Sequence, residues 1–172
     1  MDDATHEHGA ADYTHWLNDD TDFQQCFVCG QRNPFGLQLV FRSDGTRIMA
    51  DFMGEARHQG FPGVVHGGIL ASILDEAMGR VSVLEHRWAM TGKLELRYRA
   101  PAPINVTLRV FAEATDSRSR LIRVKGWIAR VDDPSVIVCE AEGLFLPLPK
   151  KVRDEAVANY PGLADFFPPA TP

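Results

Sequence analysis

The sequence predicts an α+β domain in which an antiparallel sheet of five or six strands wraps around one long central helix. A single long apolar segment, from Gly67 to about Glu85, contains no proline and has apolar residues at helical spacing. Four strand-like runs follow this segment without another helix between them. Successive strands without intervening helices favour an antiparallel sheet, and one helix is then left to cover it.

Two strand candidates come before the helix, over residues 37–42 and 47–52. In each of them apolar residues occupy every second position, which is the pattern of a half-buried strand. Ser43-Asp44-Gly45-Thr46 separates the two runs and predicts a hairpin turn.

The predicted helix has two different faces. One carries its larger apolar residues, namely Leu70, Leu74, Ala77, Met78, Val81 and Leu84. The other carries small residues and one acid, namely Gly68, Ala71, Ser72, Asp75, Gly79 and Ser82. A face of small residues lets another backbone approach closely, and it leaves the acid within reach of a ligand or a partner subunit.

The four strand candidates after the helix cover residues 91–99, 105–115, 121–131 and 135–146. Prolines follow the first and the last of them and mark their ends. Residues 150–172 predict one short helix and then a proline-rich end. We therefore expect three parts: an acidic N-terminal arm over 1–25, a folded domain over 26–148 and a C-terminal tail over 149–172.

Composition and charge exclude several classes of function. The 172 residues are 45% hydrophobic and 24% charged, which suits one soluble domain. Seven of the 23 acids lie within residues 1–22, where there is no Lys or Arg, so the rest of the chain is close to neutral. No dense basic run exists to displace counterions, so we expect no nucleic-acid partner.

We also expect no membrane partner, because no apolar stretch is long enough to span a bilayer. The acidic N-terminus does not look like a secretory signal, and three cysteines are too few for a disulfide framework, so the sequence predicts a cytosolic protein. Cys26 and Cys29 have the spacing of half a zinc site, but the spacing of the other Cys and His residues offers no second pair. We therefore expect loop or core thiols and no metal.

A short pattern at the start of the helix resembles a known family. His66 is followed by Gly67 and Gly68, and Asp75 comes nine residues after the histidine. Thr91 stands ten residues before Pro101. The stretch 60–79, GFPGVVHGGILASILDEAMG, resembles the hotdog-fold acyl-CoA thioesterases of the phenylacetate-pathway type. The leader CFVCGQRNPFGLQLVF also looks like a segment of one branch of these proteins, so the resemblance spans about 26–148.

The resemblance implies hydrolysis of acyl-CoA by a homodimer or homotetramer whose sites lie between subunits. Asp75 would act as general base or nucleophile. The Gly67 N–H would polarise the thioester carbonyl, and Thr91 of the neighbouring subunit would position the water or the base. His66 would cap the helix, orient its loop or touch the thioester. No cofactor is needed for this chemistry.

Further residues are candidates for binding the substrate or rivals for the base. Gly68 lets the substrate approach the backbone. Some family members carry an amide six residues before the histidine, where this chain has Gly60, and Gln59 is a substitute. Arg118 and Arg120, in a predicted hairpin over 116–120, are candidates for the CoA phosphates. Glu76 is a rival base, but Arg80 at i+4 is an obvious partner for it.

Two other functions stay open at this stage. The loop from His58 to Gly63, His-Gln-Gly-Phe-Pro-Gly, faintly resembles the His-Phe-Pro-Gly loop of hotdog acyl-thioester dehydratases and hydratases. Those enzymes move protons with a His–acid pair. The third hypothesis is a non-catalytic acyl-CoA binding protein of the same fold.

Overall fold

The computed structural model describes residues 22–116 and 121–166. Six strands and three α-helices follow one another along the chain: β1 (Arg42–Ser43), β2 (Arg47–Met53), α1 (Gly67–Leu84), β3 (Ala89–Tyr98), β4 (Thr107–Asp116), β5 (Ile122–Arg130), β6 (Ile137–Pro147), α2 (Lys150–Asn159) and α3 (Leu163–Phe166). Short 3₁₀ turns occupy Asp22–Gln25 and Ala56–His58.

The six strands form one antiparallel sheet in the order β1-β2-β4-β5-β6-β3. One long helix, α1, packs against this sheet, so the predicted fold class is confirmed. The hairpin between β1 and β2 is also confirmed, because Gly45 has a φ of 90° and the Asp44 carboxylate accepts the N–H of Thr46 at 3.0 Å. Strand β3, which follows α1 in the chain, is an edge strand of the sheet and contacts α1.

The first predicted strand, over 37–42, is wrong for most of its length. Only Arg42 joins the sheet, as the first residue of β1. Gln38 has a φ of 53°, and the N–H groups of its two neighbours donate to the carbonyls of residues 27 and 28 instead of to a strand. Leu39 and Phe41 are nevertheless buried. The alternation therefore predicts which side chains of this segment face the core, but it does not predict the hydrogen-bond partners of its backbone.

The core lies between α1 and the sheet. The apolar face of α1 is buried as its periodicity predicts, through Leu70, Ile73, Leu74, Ala77, Met78 and Val81. The opposite face keeps its small residues partly or fully accessible, except for Ser82. The helix therefore holds the sheet with one face and leaves Asp75 on the other.

A glycine in the middle of β5 brings the sheet close to α1. A Cβ at Gly126 would lie 2.9 Å from Met78 Cγ and 3.0 Å from Leu74 Cδ2, closer than side chains normally pack. We expect Gly126→Val to lower the free energy of unfolding by about 1–3 kcal/mol, because the core must shift to admit the branched side chain. Urea denaturation measures this change.

A second glycine, on α1, supplies the matched control for that prediction. A Cβ at Gly79 would meet only Phe145, at the ordinary contact distance of 3.7 Å. Alanine is a better helix former than glycine, so Gly79→Ala should leave stability unchanged or raise it by up to about 1 kcal/mol. A Gly126 variant as stable as the native chain would contradict the packing described for α1.

The C-terminal region forms two helices where the sequence predicts one. Helix α2 has no buried residue, and Arg153 approaches the Trp88 ring at 6.0 Å from the ring centroid. A turn at 160–162 separates α2 from the four-residue α3. Among the helices that the structure describes, none combines the length and the apolar character needed to cross a membrane.

Candidate active site

The loop before α1 is fixed by the histidine that begins the family pattern. His66 is the N-cap residue, and its Nδ1 accepts the N–H of Gly68 at 2.9 Å. Its own N–H donates to the carbonyl of His58 at 2.8 Å. Of the roles predicted for His66, the structure therefore contains two: the residue caps α1 and orients the loop before it. The Gly68 amide is already used by this cap.

The Gly67 amide differs from that of Gly68. As the first residue of α1, its N–H has no acceptor within the helix, and we find no other acceptor for it in residues 22–116 and 121–166. A Cβ at this position would lie 3.3 Å from the Tyr98 ring, so space is tight on that side. The Gly67 N–H is therefore a free donor at the positive end of the helix.

Tyr98 is a site residue that the sequence analysis missed. Its hydroxyl donates to the carbonyl of Gly67 at 2.9 Å, and burial raises the pKa of this hydroxyl above its ordinary value. The tyrosine comes from the far end of β3, 31 residues away, so only the strand register brings it to the helix start. No local sequence signal marks this contact.

An open groove passes the start of α1 between the loop and the end of β3. Its lining is largely apolar and comprises Gly60, Phe61, Val64, Val65, His66, Gly67, Leu70, Tyr98, Arg99, Ala100, Pro101 and Ala102. Phe61 is 81% exposed at its edge. The groove therefore offers apolar surface beside the free amide of Gly67.

Asp75 and Thr91 form a second element of the site. The Thr91 hydroxyl donates to Asp75 Oδ1 at 2.7 Å, and Asp75 is half-buried. Both residues belong to the same chain, whereas the family resemblance implied a threonine from the neighbouring subunit. The connection after α1 is short, since β3 begins at Ala89 and runs back alongside the helix. Thr91 of the same chain therefore reaches Asp75.

The two elements lie apart within one chain. An α-helix rises 1.5 Å per residue, so the eight residues from Gly67 to Asp75 separate their Cα atoms by about 12 Å. A thioester carbonyl that accepts the Gly67 N–H therefore lies well away from the Asp75 Cα of the same helix.

Glu76, the rival base, is occupied elsewhere. Arg80 Nε donates to its Oε1 at 3.1 Å, which confirms the pairing expected from the i+4 spacing. The Cys29 thiol donates to the same oxygen at 3.3 Å. Arg80 is buried and stacks on the Phe41 ring at 4.5 Å. These contacts hold Glu76 on the side of α1 away from Thr91.

The remaining predicted residues either lie in the loop before α1 or fall outside the described residues. Gln59 holds its own loop, because its Nε2 donates to the Ala56 carbonyl at 3.0 Å and its Oε1 accepts the Gly63 N–H. Gly60 lies against His66, where a Cβ would be 3.1 Å from the imidazole Cδ2. Arg118 and Arg120 lie outside the described residues.

Comparison with known proteins assigns the fold to a family. Residues 62–137, which include α1, the free amide and the Asp75–Thr91 pair, match the family model described as thioesterase superfamily. Over these residues the chain is similar to the thioesterase superfamily. The resemblance found from the His-Gly-Gly and Asp pattern is therefore confirmed for the thioesterase domain.

Individual relatives agree with this assignment. The mouse protein named acyl-coenzyme A thioesterase THEM4 is 33% identical over 114 residues, which cover 66% of this chain and 49% of the mouse protein. The chain spans about half the length of the curated relatives it matches. The solved thioesterase-superfamily protein RHA08564 is 29% identical, with a TM-score of 0.66 over 72% of this chain and 60% of its own.

A more distant neighbour supports the fold alone. The Streptococcus mutans protein smu.793, solved with acetyl CoA, has a TM-score of 0.57 and 16% identity. The match covers 61% of this chain and 83% of that protein.

Proposed function

We propose that this chain hydrolyses acyl-CoA thioesters to a free acid and CoA. The observation that carries the proposal is the 2.7 Å hydrogen bond from Thr91 to Asp75 on the small-residue face of the thioesterase domain. It fixes a carboxylate where a ligand can reach it. The name of the mouse relative and the acetyl CoA bound to the S. mutans neighbour support acyl-CoA as the substrate class.

The carboxylate suits either of two routes. Thr91 occupies Oδ1, so Oδ2 is available to take a proton from water or to attack the carbonyl carbon itself. In the first route, hydroxide adds to the carbonyl while Asp75 holds the proton. The tetrahedral intermediate then expels the CoA thiolate, which takes up that proton. In the second route, the Asp75 carboxylate adds to the carbonyl carbon, and the intermediate expels the CoA thiolate to leave a mixed anhydride. Water then hydrolyses this anhydride to the free acid and the Asp75 carboxylate, and the thiolate takes up a proton released from the water. We assign Asp75 as base or nucleophile.

The developing oxyanion needs donors that are already in place. The Gly67 N–H is free and lies at the positive end of α1, so it suits this role. His66 uses its Nδ1 to hold the neighbouring amide of Gly68, and this keeps the helix start rigid. Gly68, without a side chain, leaves room for the substrate to pass.

The active unit requires two copies of the chain. Because about 12 Å separates the Cα atoms of Gly67 and Asp75 along one helix, we propose that the amide and the carboxylate that meet at one thioester come from different subunits. Two copies related by a two-fold axis would form two such sites, each with Gly67 of one chain and the Asp75–Thr91 pair of the other. The exposed edge strand β3 lies beside this face.

The hydroxyl of Thr91 is expected to matter because a hydrogen bond to a charged group contributes about 1.5–3 kcal/mol. We expect Thr91→Val to lower kcat by roughly tenfold or more, because the carboxylate loses its fixed orientation. Thr91→Ser, the matched control, keeps the hydroxyl and should retain most of the activity. Equal activity of the two variants in a thiol-release assay would contradict the role of Thr91.

A hydratase is disfavoured by the position of His58. This residue is 8% exposed, its Nδ1 accepts the Glu55 N–H at 3.0 Å, and its ring centroid lies 5.5 Å from that of Phe52. Burial also lowers the pKa of the imidazole. A buried histidine engaged in this way has no access to a substrate.

A panel of acyl-CoA substrates tests the proposed function. We expect thiol release from at least one member and no hydration of crotonyl-CoA. Hydration without thiol release would identify a hydratase. Binding of acyl-CoA without turnover would identify the non-catalytic binding protein.

The finer predictions remain part of this proposal. Arg118 and Arg120 are proposed to contact the CoA phosphates, and Gln59 is proposed to act indirectly through the loop that it holds. The domain boundaries at 26 and 148 and the cytosolic location stay predictions from the sequence.

A further inference from the structure

Three potential metal-binding side chains converge away from the proposed catalytic pair. The Sγ atoms of Cys26 and Cys29 and a carboxylate oxygen of Glu76 all lie within 4.8 Å of one another. Cys29 Sγ is 3.3 Å from Glu76 Oε1, and Cys26 Sγ is 3.8 Å from Oε2. Cys29 is fully buried and Cys26 is half-buried. The cluster joins the loop at 26–30 to the middle of α1.

The loop is shaped to present both sulfurs to one side. The Val28 N–H donates to Cys26 Sγ at 3.4 Å, and the Gly30 N–H donates to the Cys26 carbonyl at 3.0 Å. Gly30 is required there, because a Cβ would lie 2.4 Å from the Gln24 carbonyl oxygen. A backbone N–H directed at a sulfur stabilises the thiolate, which is the form that binds metals.

The charges around the cluster match a divalent cation. Once metal binding has displaced the protons of both cysteines, two thiolates and the Glu76 carboxylate would carry three negative charges, and the buried Arg80 guanidinium supplies one positive charge. A divalent ion would bring this group to neutrality, which a buried site favours. Arg80 contacts Oε1 of Glu76, so Oε2 can face a metal while the arginine orients the carboxylate.

We propose that Cys26, Cys29 and Glu76 bind one thiophilic divalent cation such as Zn²⁺, with water as the fourth ligand. Zn²⁺ takes thiolate and carboxylate ligands in tetrahedral sites, and two sulfurs favour it over Mg²⁺ or Ca²⁺. The ion would fasten the loop to α1. Glu76 points about 100° away from Asp75 around the helix, so the role is structural rather than catalytic.

The same two cysteines could instead form a redox pair, and the structure favours the metal. Both sulfurs approach a carboxylate that Arg80 holds in place, and this supplies a third ligand of the type that zinc accepts. The redox pair is one outcome of the test below.

Cobalt(II) titration of the reduced 172-residue chain tests the proposal. We expect one equivalent of Co²⁺ to produce sulfur-to-cobalt charge-transfer bands and the visible bands of tetrahedral cobalt, and Zn²⁺ to bleach both. Cys26→Ser and Cys29→Ser should abolish the charge-transfer bands or reduce them by half or more, and Glu76→Gln should weaken binding at least tenfold. Cys139→Ser removes the other free cysteine, which lies in β6 outside the cluster, and should change nothing.

Measurements on the unmodified chain keep the proposal testable even if a variant fails to fold. Zn²⁺ should raise the unfolding temperature of the reduced protein, and a chelator should reverse the rise. A folded, reduced chain that gives no cobalt bands and no zinc-dependent stabilisation would overturn the proposal. Reversible loss of two titratable thiols on treatment with oxidised glutathione, without metal binding, would overturn it in favour of a redox pair.

Discussion

Replacement of Asp75 by asparagine should lower kcat for acyl-CoA hydrolysis by roughly 10²- to 10⁴-fold, the range expected for loss of a general base. The loss of a nucleophile would be at least as severe. Asparagine has nearly the same shape and keeps an oxygen that can accept the Thr91 hydroxyl at the 2.7 Å contact. The substitution therefore removes the charge while keeping the local hydrogen bond, and the measurement is thiol release under saturating substrate.

The control for this prediction is Asp154→Asn on the exposed face of α2, where the carboxylate pairs with surface lysine and arginine side chains. This variant should keep native activity. Circular dichroism and the affinity for CoA should be unchanged in Asp75→Asn. An Asp75→Asn enzyme that keeps more than about a tenth of native kcat would contradict the catalytic role, since a base contributes more than that.

Replacement of Gly67 by proline should lower kcat by about 10²- to 10³-fold, the loss that follows removal of one oxyanion-hole donor. Proline is well tolerated at the first position of a helix, where its missing N–H breaks no helical hydrogen bond. His66 already has φ −61° and ψ 133°, which is the extended conformation that a residue before proline adopts. The substitution thus removes the proposed donor while preserving the backbone at the helix start.

Gly67→Ala is the control that separates the lost donor from added bulk. Alanine keeps the N–H but places a Cβ 3.3 Å from the Tyr98 ring, a tight contact that a small movement of the ring relieves. We expect the alanine variant to lose less activity than the proline variant by at least tenfold. Equal losses would show that bulk and not the N–H is responsible, and would remove Gly67 from the proposed oxyanion hole.

The regular part of the fold could be predicted because its signals are local. The helix was expected from Gly67 to about Glu85 and is found at Gly67–Leu84. Each of the four strands after it lies within about two residues of its predicted limits. The prediction of a strand over 37–42 is wrong because alternation indicates only which side chains are buried. Here the alternating side chains are buried by a loop that packs against the core. Its left-handed Gln38 has no signal in the pattern.

The contacts of the candidate site are harder to predict than its residues. A short pattern on one loop and helix predicts His66, Gly67 and Asp75 as candidates, and the spacing to Pro101 adds Thr91. The contacts of Thr91 with Asp75, of Tyr98 with Gly67 and of Cys29 with Glu76 span 16, 31 and 47 residues. These three contacts depend on the register of β3 and on the position at which the loop over 26–30 packs against α1. The spacing of residues along the sequence predicts neither the register nor that position.

The central claim is that each active site combines Gly67 of one subunit with the Asp75–Thr91 pair of another. Mixing Gly67→Pro chains with Asp75→Asn chains tests it directly, because a mixed pair then holds one site with both substitutions and one intact site. Random mixing in equal amounts should restore about a quarter of native activity from two nearly inactive proteins. Activity that stays at the level of the separate variants, although size-exclusion chromatography and native mass spectrometry show mixed oligomers, would contradict the shared site.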